Sequence, residues 1–317
     1  MPSIPQYDIL KINFHETELP RVGRIVQGDV SAVVANKFPV KFTVPPLGFK
    51  IMVSGCNPDQ PKIDVANAQT KTIHVEPKQD VPVDAVGIVH KLPKDLTSIC
   101  PKLLKSPLDI LLTDYMNGEE LTLFVSGSEN QSSETPSWIA DFLSDIVVPI
   151  DFHGKTFDKL IRNFTMEDVH FGLPDPFSGP DSPDSNPRVS ATIKAIINLP
   201  DEMNFNLDVQ RVKAQAEIFS HGKKLGDLDL KEWQKAESKR IEKEGQKPGL
   251  QVSSIIKDAP INITDNEVFA DLVRKVVFGG KEVVLAVKAA VDVQTSTVLG
   301  DLVVRDIPAE GEVFVNR

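Results

Sequence analysis

The sequence predicts a mainly β protein made of two tandem antiparallel β-sandwich modules of immunoglobulin or fibronectin type, each carrying a short helix. Three observations lead there: a pattern that occurs twice, short runs rich in Val, Ile, Phe and Thr bounded by Pro, Gly, Asn and Asp, and one helix start near the end of each copy. The expected modules span residues 1–135 and 157–317, joined by a linker helix over 136–156. A length of 317 residues is ordinary for two cores.

In the first copy, Ile12-Asn13-Phe14-His15 alternates as a strand with one wet face. Val30-Ser31-Ala32 then runs through Phe38-Pro39 to Phe42-Thr43-Val44, and its counterpart Val189-Ser190-Ala191 runs through Leu199-Pro200 to Phe205-Asn206-Leu207. Further strands are expected at Lys50–Val53, Thr72–Val75 and Val212–Phe219. A second anchor pairs Gln79-Asp80-Val81-Pro82-Val83-Asp84 with Lys257-Asp258-Ala259-Pro260-Ile261-Asn262.

Each copy then turns helical. Ser106-Pro107 supplies an N-cap and a proline at the first helical position, and Asn117-Gly118 supplies the stop before the strand Leu121–Val125. In the second copy the helix starts at Asp265 or Asn266 and stops at Gly279-Gly280, before Val283–Val287. Between the copies, Trp138, Ile139, Phe142, Ile146 and Val147 form an amphipathic stripe after Pro136. The run KEWQKAESKRIEKE from Lys231 is expected as a charged helical insertion over 231–245, with lysines at 231, 235, 239 and 243. Asp175 to Pro187 reads as an acidic, turn-rich loop.

Composition excludes several functions. With 35 Lys and Arg against 45 Asp and Glu, the net charge of −10 and the lack of basic clusters argue against nucleic acid. No apolar run approaches the roughly 20 residues a membrane helix needs. The first residues, Met1-Pro2-Ser3-Ile4-Pro5, are not a secretory signal, which leaves a cytoplasmic protein or a piece of a longer one with its membrane tether elsewhere. Cys56 and Cys100 are open to two readings: reduced buried thiols, or one bridge made in an oxidising compartment. Sequons at Asn130, Asn163 and Asn262 lean toward the second.

No reaction is specified. Ser126-Gly127-Ser128-Glu129 is not a nucleophile elbow, and Gly279-Gly280-Lys281 is followed by Glu282, not by the hydroxyl residue of a phosphate loop. The histidines at 15, 74, 90, 153, 170 and 221 are scattered, away from the close spacing zinc requires. Asp175, Asp181 and Asp184 lack the order of a calcium-binding hand loop. No cofactor, metal or catalytic residue is therefore expected. The surfaces left for a protein or lipid partner are Trp138 with Phe142, for which packing between the two modules is the competing reading, and Lys231, Lys235, Lys239 and Lys243, whose interspersed glutamates nearly cancel their charge as on a solvated insertion.

Val30-Ser31-Ala32 to Phe38-Pro39, together with Asn204-Phe205-Asn206-Leu207 and Gly222-Lys223-Lys224-Leu225-Gly226, resembles the group-two late-embryogenesis-abundant (water-stress-and-hypersensitive-response) module. The phrase Phe42-Thr43-Val44-Pro45-Pro46-Leu47-Gly48-Phe49, with Asp158-Lys159-Leu160-Ile161, is similar to the lumenal region of a fungal vacuolar-membrane family with tandem modules of this kind. The resemblance implies a non-enzymatic role on the lumenal side of the vacuolar membrane. Autophagy regulation and pre-ribosomal-RNA processing are both attached to that family. The first copy departs from the pattern, with Cys56-Asn57-Pro58-Asp59 where the Gly-x-x-Leu-Gly hairpin belongs. A carrier of lipid or another apolar ligand, with a cavity between sheets, is the alternative to a binding module.

Overall fold

The computed structural model describes residues 6–315 except 58, 129–130, 134, 155–160, 173–185, 243–247 and 281. The protein is mainly β and divides into two compact units. The first comprises Met1–Phe157 with Asp201–Asn206 and Thr297–Gly300, and the second Asp158–Pro200, Leu207–Ser296 and Asp301–Arg317.

In chain order the first unit holds β1 (Tyr7–Leu19), β2 (Gly23–Val34), β3 (Phe42–Val44), β4 (Gly48–Val53), β5 (Ile63–Thr70), β6 (Ile73–Val75), β7 (Val81–Val89), α1 (Lys94–Thr97), α2 (Pro107–Asn117), β8 (Glu120–Gly127), α3 (Ser137–Ser144) and β9 (Val147–His153). The second holds β10 (Ile161–Gly172), β11 (Arg188–Asn198), β13 (Asp208–Ser220), β14 (Lys223–Ile241), β15 (Gly249–Ile263), α4 (Asn266–Val273) with a π-helical turn over Arg274–Phe278, β16 (Val283–Thr297) and β17 (Gly300–Val315). The short β12 (Met203–Asn204) pairs in parallel with β1 and so extends the first sheet.

The first sheet runs β12-β1-β2-β7-β5-β4-β8-β9 and the second β10-β11-β15-β14-β13-β16-β17. Without β12, the two orders are the same topology: β1, β2, β4, β5, β7, β8 and β9 correspond in turn to β10, β11, β13, β14, β15, β16 and β17. In each copy a helix enters between the fifth and sixth of these strands in chain order.

Both sheets roll up. Laid flat, β1 and β9 would lie six spacings apart, about 29 Å. Yet the Tyr7 hydroxyl donates to the Asp151 carbonyl at 3.1 Å and accepts from the Asp151 amide at 2.9 Å. In the second unit Phe164 of β10 lies against Gly311 of β17, where an added Cβ would come within 2.6 Å of its ring. Each sheet thus folds over to supply both layers of its unit. In the second unit two clusters fill the interior: one gathers Ile218, Leu225, Ile256, Ile261, Leu285 and Val315, joined by Leu272 of α4, and the other Leu199, Val209, Leu250, Val252, Val293 and Ile307.

α2 sits on the seam of the first sheet. Its Tyr115 ring stacks on Phe152 of β9 with centroids 6.0 Å apart, and its hydroxyl donates to the carboxylate of Glu202, the residue before β12. The carbonyl of Glu202 accepts from the amide of Phe14 on β1 at 2.7 Å. Burial first, and then the Glu202 carboxylate, push the Tyr115 phenol above its ordinary range, so it remains a proton donor.

Two expectations are corrected. Lys223–Ile241 is one continuous strand, so no charged helix occupies the described part of 231–245. From Gln234 to Arg240 the residues alternate inward and outward, with Ala236 buried and Lys235, Glu237 and Lys239 exposed. Within it Ala236–Arg240 pairs with Leu250–Ser254 of β15, and Gln234 and Lys235 pair with β13; partner strands outweigh the helix propensity of Lys, Glu and Ala. Residues 136–156 also do more than link: after α3 they form β9, an edge strand paired with β8 over Val147–His153.

Candidate functional site

The two cysteines form a disulfide. Cys56, just after β4, is bonded to Cys100 in the turn between α1 and α2, and no free cysteine is present. The bridge thus joins the end of a central strand to the helical layer. Cys100 is fully buried. Its amide donates to the Lys105 carbonyl at 2.9 Å, and its carbonyl accepts from the amides of Leu103 and Leu104, each at 3.1 Å. Ile99, Leu103 and Leu104 nevertheless point outward from this closed turn.

Of the amphipathic stripe, Trp138, Ile139 and Phe142 lie on the helix α3, whereas Ile146 follows it and Val147 opens β9. Leu143 faces inward, packed so closely on Gly127 of β8 that a Cβ there would lie 2.6 Å from the Leu143 backbone. Trp138 and Phe142, four residues apart on the other face, are 69% and 63% exposed. Val147 beyond the helix is exposed as well. The two aromatics are thus brought together on one surface.

The lysines are not. Lys235 and Lys239 share the outward face of β14, because an interval of four keeps the same side of a strand, while Lys231 lies beyond an irregularity in the pairing with β13. Lys235 has Glu237 at 3.9 Å. Lys243 lies outside the described residues. Of the sequons, Asn130 lies outside them too, Asn163 falls on β10, and Asn262 is exposed near the end of β15. The acidic, turn-rich loop Asp175 to Pro187 falls outside the described residues apart from Asn186 and Pro187.

Two polar clusters lie on the first sheet. Asp29 accepts from Gln27 at 3.0 Å, and its second oxygen lies 2.9 Å from Nε2 of His15. The Gln27 hydrogen bond holds the Asp29 carboxyl below its usual range against the opposing effect of burial, with His15 helping to lower it. Asp84 accepts from the Ser31 hydroxyl at 2.8 Å and from Lys71 at 3.4 Å, which lowers its pKa in the same way. The partners of His15 are a carboxylate and, at 3.5 Å, the Glu16 carbonyl, so the cluster joins no nucleophile to a base. Among the described residues no three His, Cys, Asp or Glu side chains converge as a metal site.

The interior of the second unit contains a cavity of about 100 Å³ lined by Phe164, Met166, Ile218, Leu228, Ile256 and Val287 among other apolar side chains. Small-molecule pockets ordinarily offer about 300–1,000 Å³. No helix among the described residues is long and apolar enough to cross a membrane.

Residues 203–316, the stretch from β12 through β17, match the family model described as Tag1 C-terminal domain. No curated protein matches the chain. Solved structures that align along its length include an anti-sigma factor domain-containing protein from Clostridium clariflavum, at 10% identity over 96% of this chain and 91% of that one with a TM-score of 0.16. Another is the CupB6 tip adhesin of Pseudomonas aeruginosa, at 10% identity over 96% and 99% with a TM-score of 0.16. Scores this low carry no argument.

Proposed function

We propose that this chain is a non-catalytic binding module that works in an oxidising compartment and meets its partner through the exposed face of α3. The observation that carries the compartment is the Cys56–Cys100 disulfide, a bond that reducing cytosol does not maintain. Trp138 and Phe142 carry the partner face: paired aromatics outside, on a helix anchored from beneath by Leu143, are the kind of rigid anchor that interfaces use. The resemblance carried by Phe42–Phe49 and Asp158–Ile161 is the ground for placing the module on the lumenal side of a fungal vacuolar membrane, in the regulation of autophagy. A net charge of −10 speaks against the ribosomal-RNA role attached to the same family. A cavity of about 100 Å³ gives little support to carriage of a lipid.

Protease protection tests the compartment. In intact organelles from its own host, the chain is expected to resist added protease until detergent is present. Digestion without detergent contradicts the reading.

A further inference from the structure

The turn between α1 and α2 presents apolar side chains where burial was available to none of them. Ile99 and Leu103 are each 52% exposed and Leu104 is 77% exposed. One such residue is ordinary on a surface, but three on a single turn make a patch. The turn is also fixed. The disulfide holds Cys100 from below, and the three backbone hydrogen bonds centred on Cys100 close the loop above it.

Leu104 adopts φ +55°, the left-handed region that residues with a Cβ avoid. Glycine or asparagine would satisfy that backbone more easily. Leucine in a strained, mostly exposed position contributes little to folding, which makes an external contact worth testing.

Charge identifies what that is. Between His90 and Ser106 stand Lys91, Lys94, Lys102 and Lys105 against the single acid Asp95, in a protein whose net charge is −10. Lys91, Lys94 and Lys102 are exposed. Exposed aliphatics on a segment rich in lysine complement an anionic lipid surface: the leucines would enter the boundary between headgroups and acyl chains while the lysines meet phosphate and carboxylate groups. We infer that the turn Ile99–Lys105 docks this module on an anionic membrane surface. The inference deepens the binding-module reading and rests on it, but uses residues separate from α3.

Cosedimentation of the full chain, disulfide intact, with vesicles tests it. Vesicles of phosphatidylcholine containing phosphatidylserine are expected to retain the protein, vesicles of phosphatidylcholine alone to release it, and added salt to weaken retention. Leu103→Ser/Leu104→Ser is expected to lower partitioning by about 10-fold or more, since each leucine withdraws apolar area from the bilayer. Leu104→Gly relieves the backbone strain, so it is expected to melt no lower than the parent while still losing partitioning. Trp138→Ala/Phe142→Ala is expected to partition as the parent does. No retention on phosphatidylserine vesicles, equal retention on both compositions, or unchanged partitioning of the leucine variants overturns the inference. Loss only in the Trp138/Phe142 variant also overturns it, while leaving the α3 binding face standing.

Discussion

Ser106 and Asp109 cap α2 reciprocally: the Asp109 amide donates to the Ser106 hydroxyl oxygen at 3.1 Å, and Asp109 Oδ2 accepts from the Ser106 amide at 2.8 Å. Both residues are buried, so Ser106→Ala is expected to lower unfolding free energy by about 1–2 kcal/mol in a denaturant titration. The cap was legible because Ser, Pro and Asp there are local signals, and Gly118 ends the same helix in the left-handed conformation. Asp29 has a pKa depressed below its ordinary 3.8, so its contribution to stability is complete above that value and is lost as pH falls through the folded-state pKa. Asp29→Asn is therefore expected to lower stability at neutral pH and to converge on the parent as pH falls below about 4, which flattens the acid limb of a stability-against-pH curve. Nothing in the sequence marked this cluster, since His15, Gln27 and Asp29 meet only through the β1–β2 register. Asn262 is exposed in a disulfide-bonded chain, and glycopeptide mapping after passage through a eukaryotic secretory pathway is expected to find it occupied. An unmodified Asn262 peptide from correctly bridged protein would count against this.

At the scale of elements, α3 depends on the absence of a side chain at Gly127. Gly127→Ala puts a Cβ into the Leu143 backbone, and is expected to destabilise the protein by about 1–3 kcal/mol, read as a lower midpoint of chemical unfolding. Trp138→Ala/Phe142→Ala, by contrast, is expected to stay within about 0.5 kcal/mol of the parent, because those rings are largely in solvent. The stripe was legible as amphipathic, but which face met solvent depended on β8, a partner invisible to a period count. β14 shows the opposite failure. Lysines four apart suit a helix face and equally one side of a strand, so spacing alone did not choose, and the pairing to β15 decided. The seating of α2 over the β9–β12 seam was also beyond reach, because Phe152 and Glu202 come to Tyr115 from distant sequence.

Across the whole molecule, the repeat is real as topology: two sheets with one strand order, each rolled until its first and last strands meet. The anchor Val30-Ser31-Ala32 falls on β2 and Val189-Ser190-Ala191 on the equivalent β11. The second anchor also joins equivalent strands, yet Val81–Asp84 opens β7 whereas Lys257–Asn262 lies near the end of β15. Short apolar motifs therefore identified the strands but not their register, which is set by pairing across long sequence separations. The cross-link Cys56–Cys100, separated by 44 residues, ties the first unit together, and Cys56→Ser/Cys100→Ser is expected to lose about 2–4 kcal/mol of stability. The proposal that the protein works in an oxidising compartment rests on this bond. The most direct measurement is alkylation of the denatured, unreduced protein purified from its own host, followed by intact mass. The account expects no added mass until a reductant is supplied, and labelling of both Cys56 and Cys100 without reduction would contradict it.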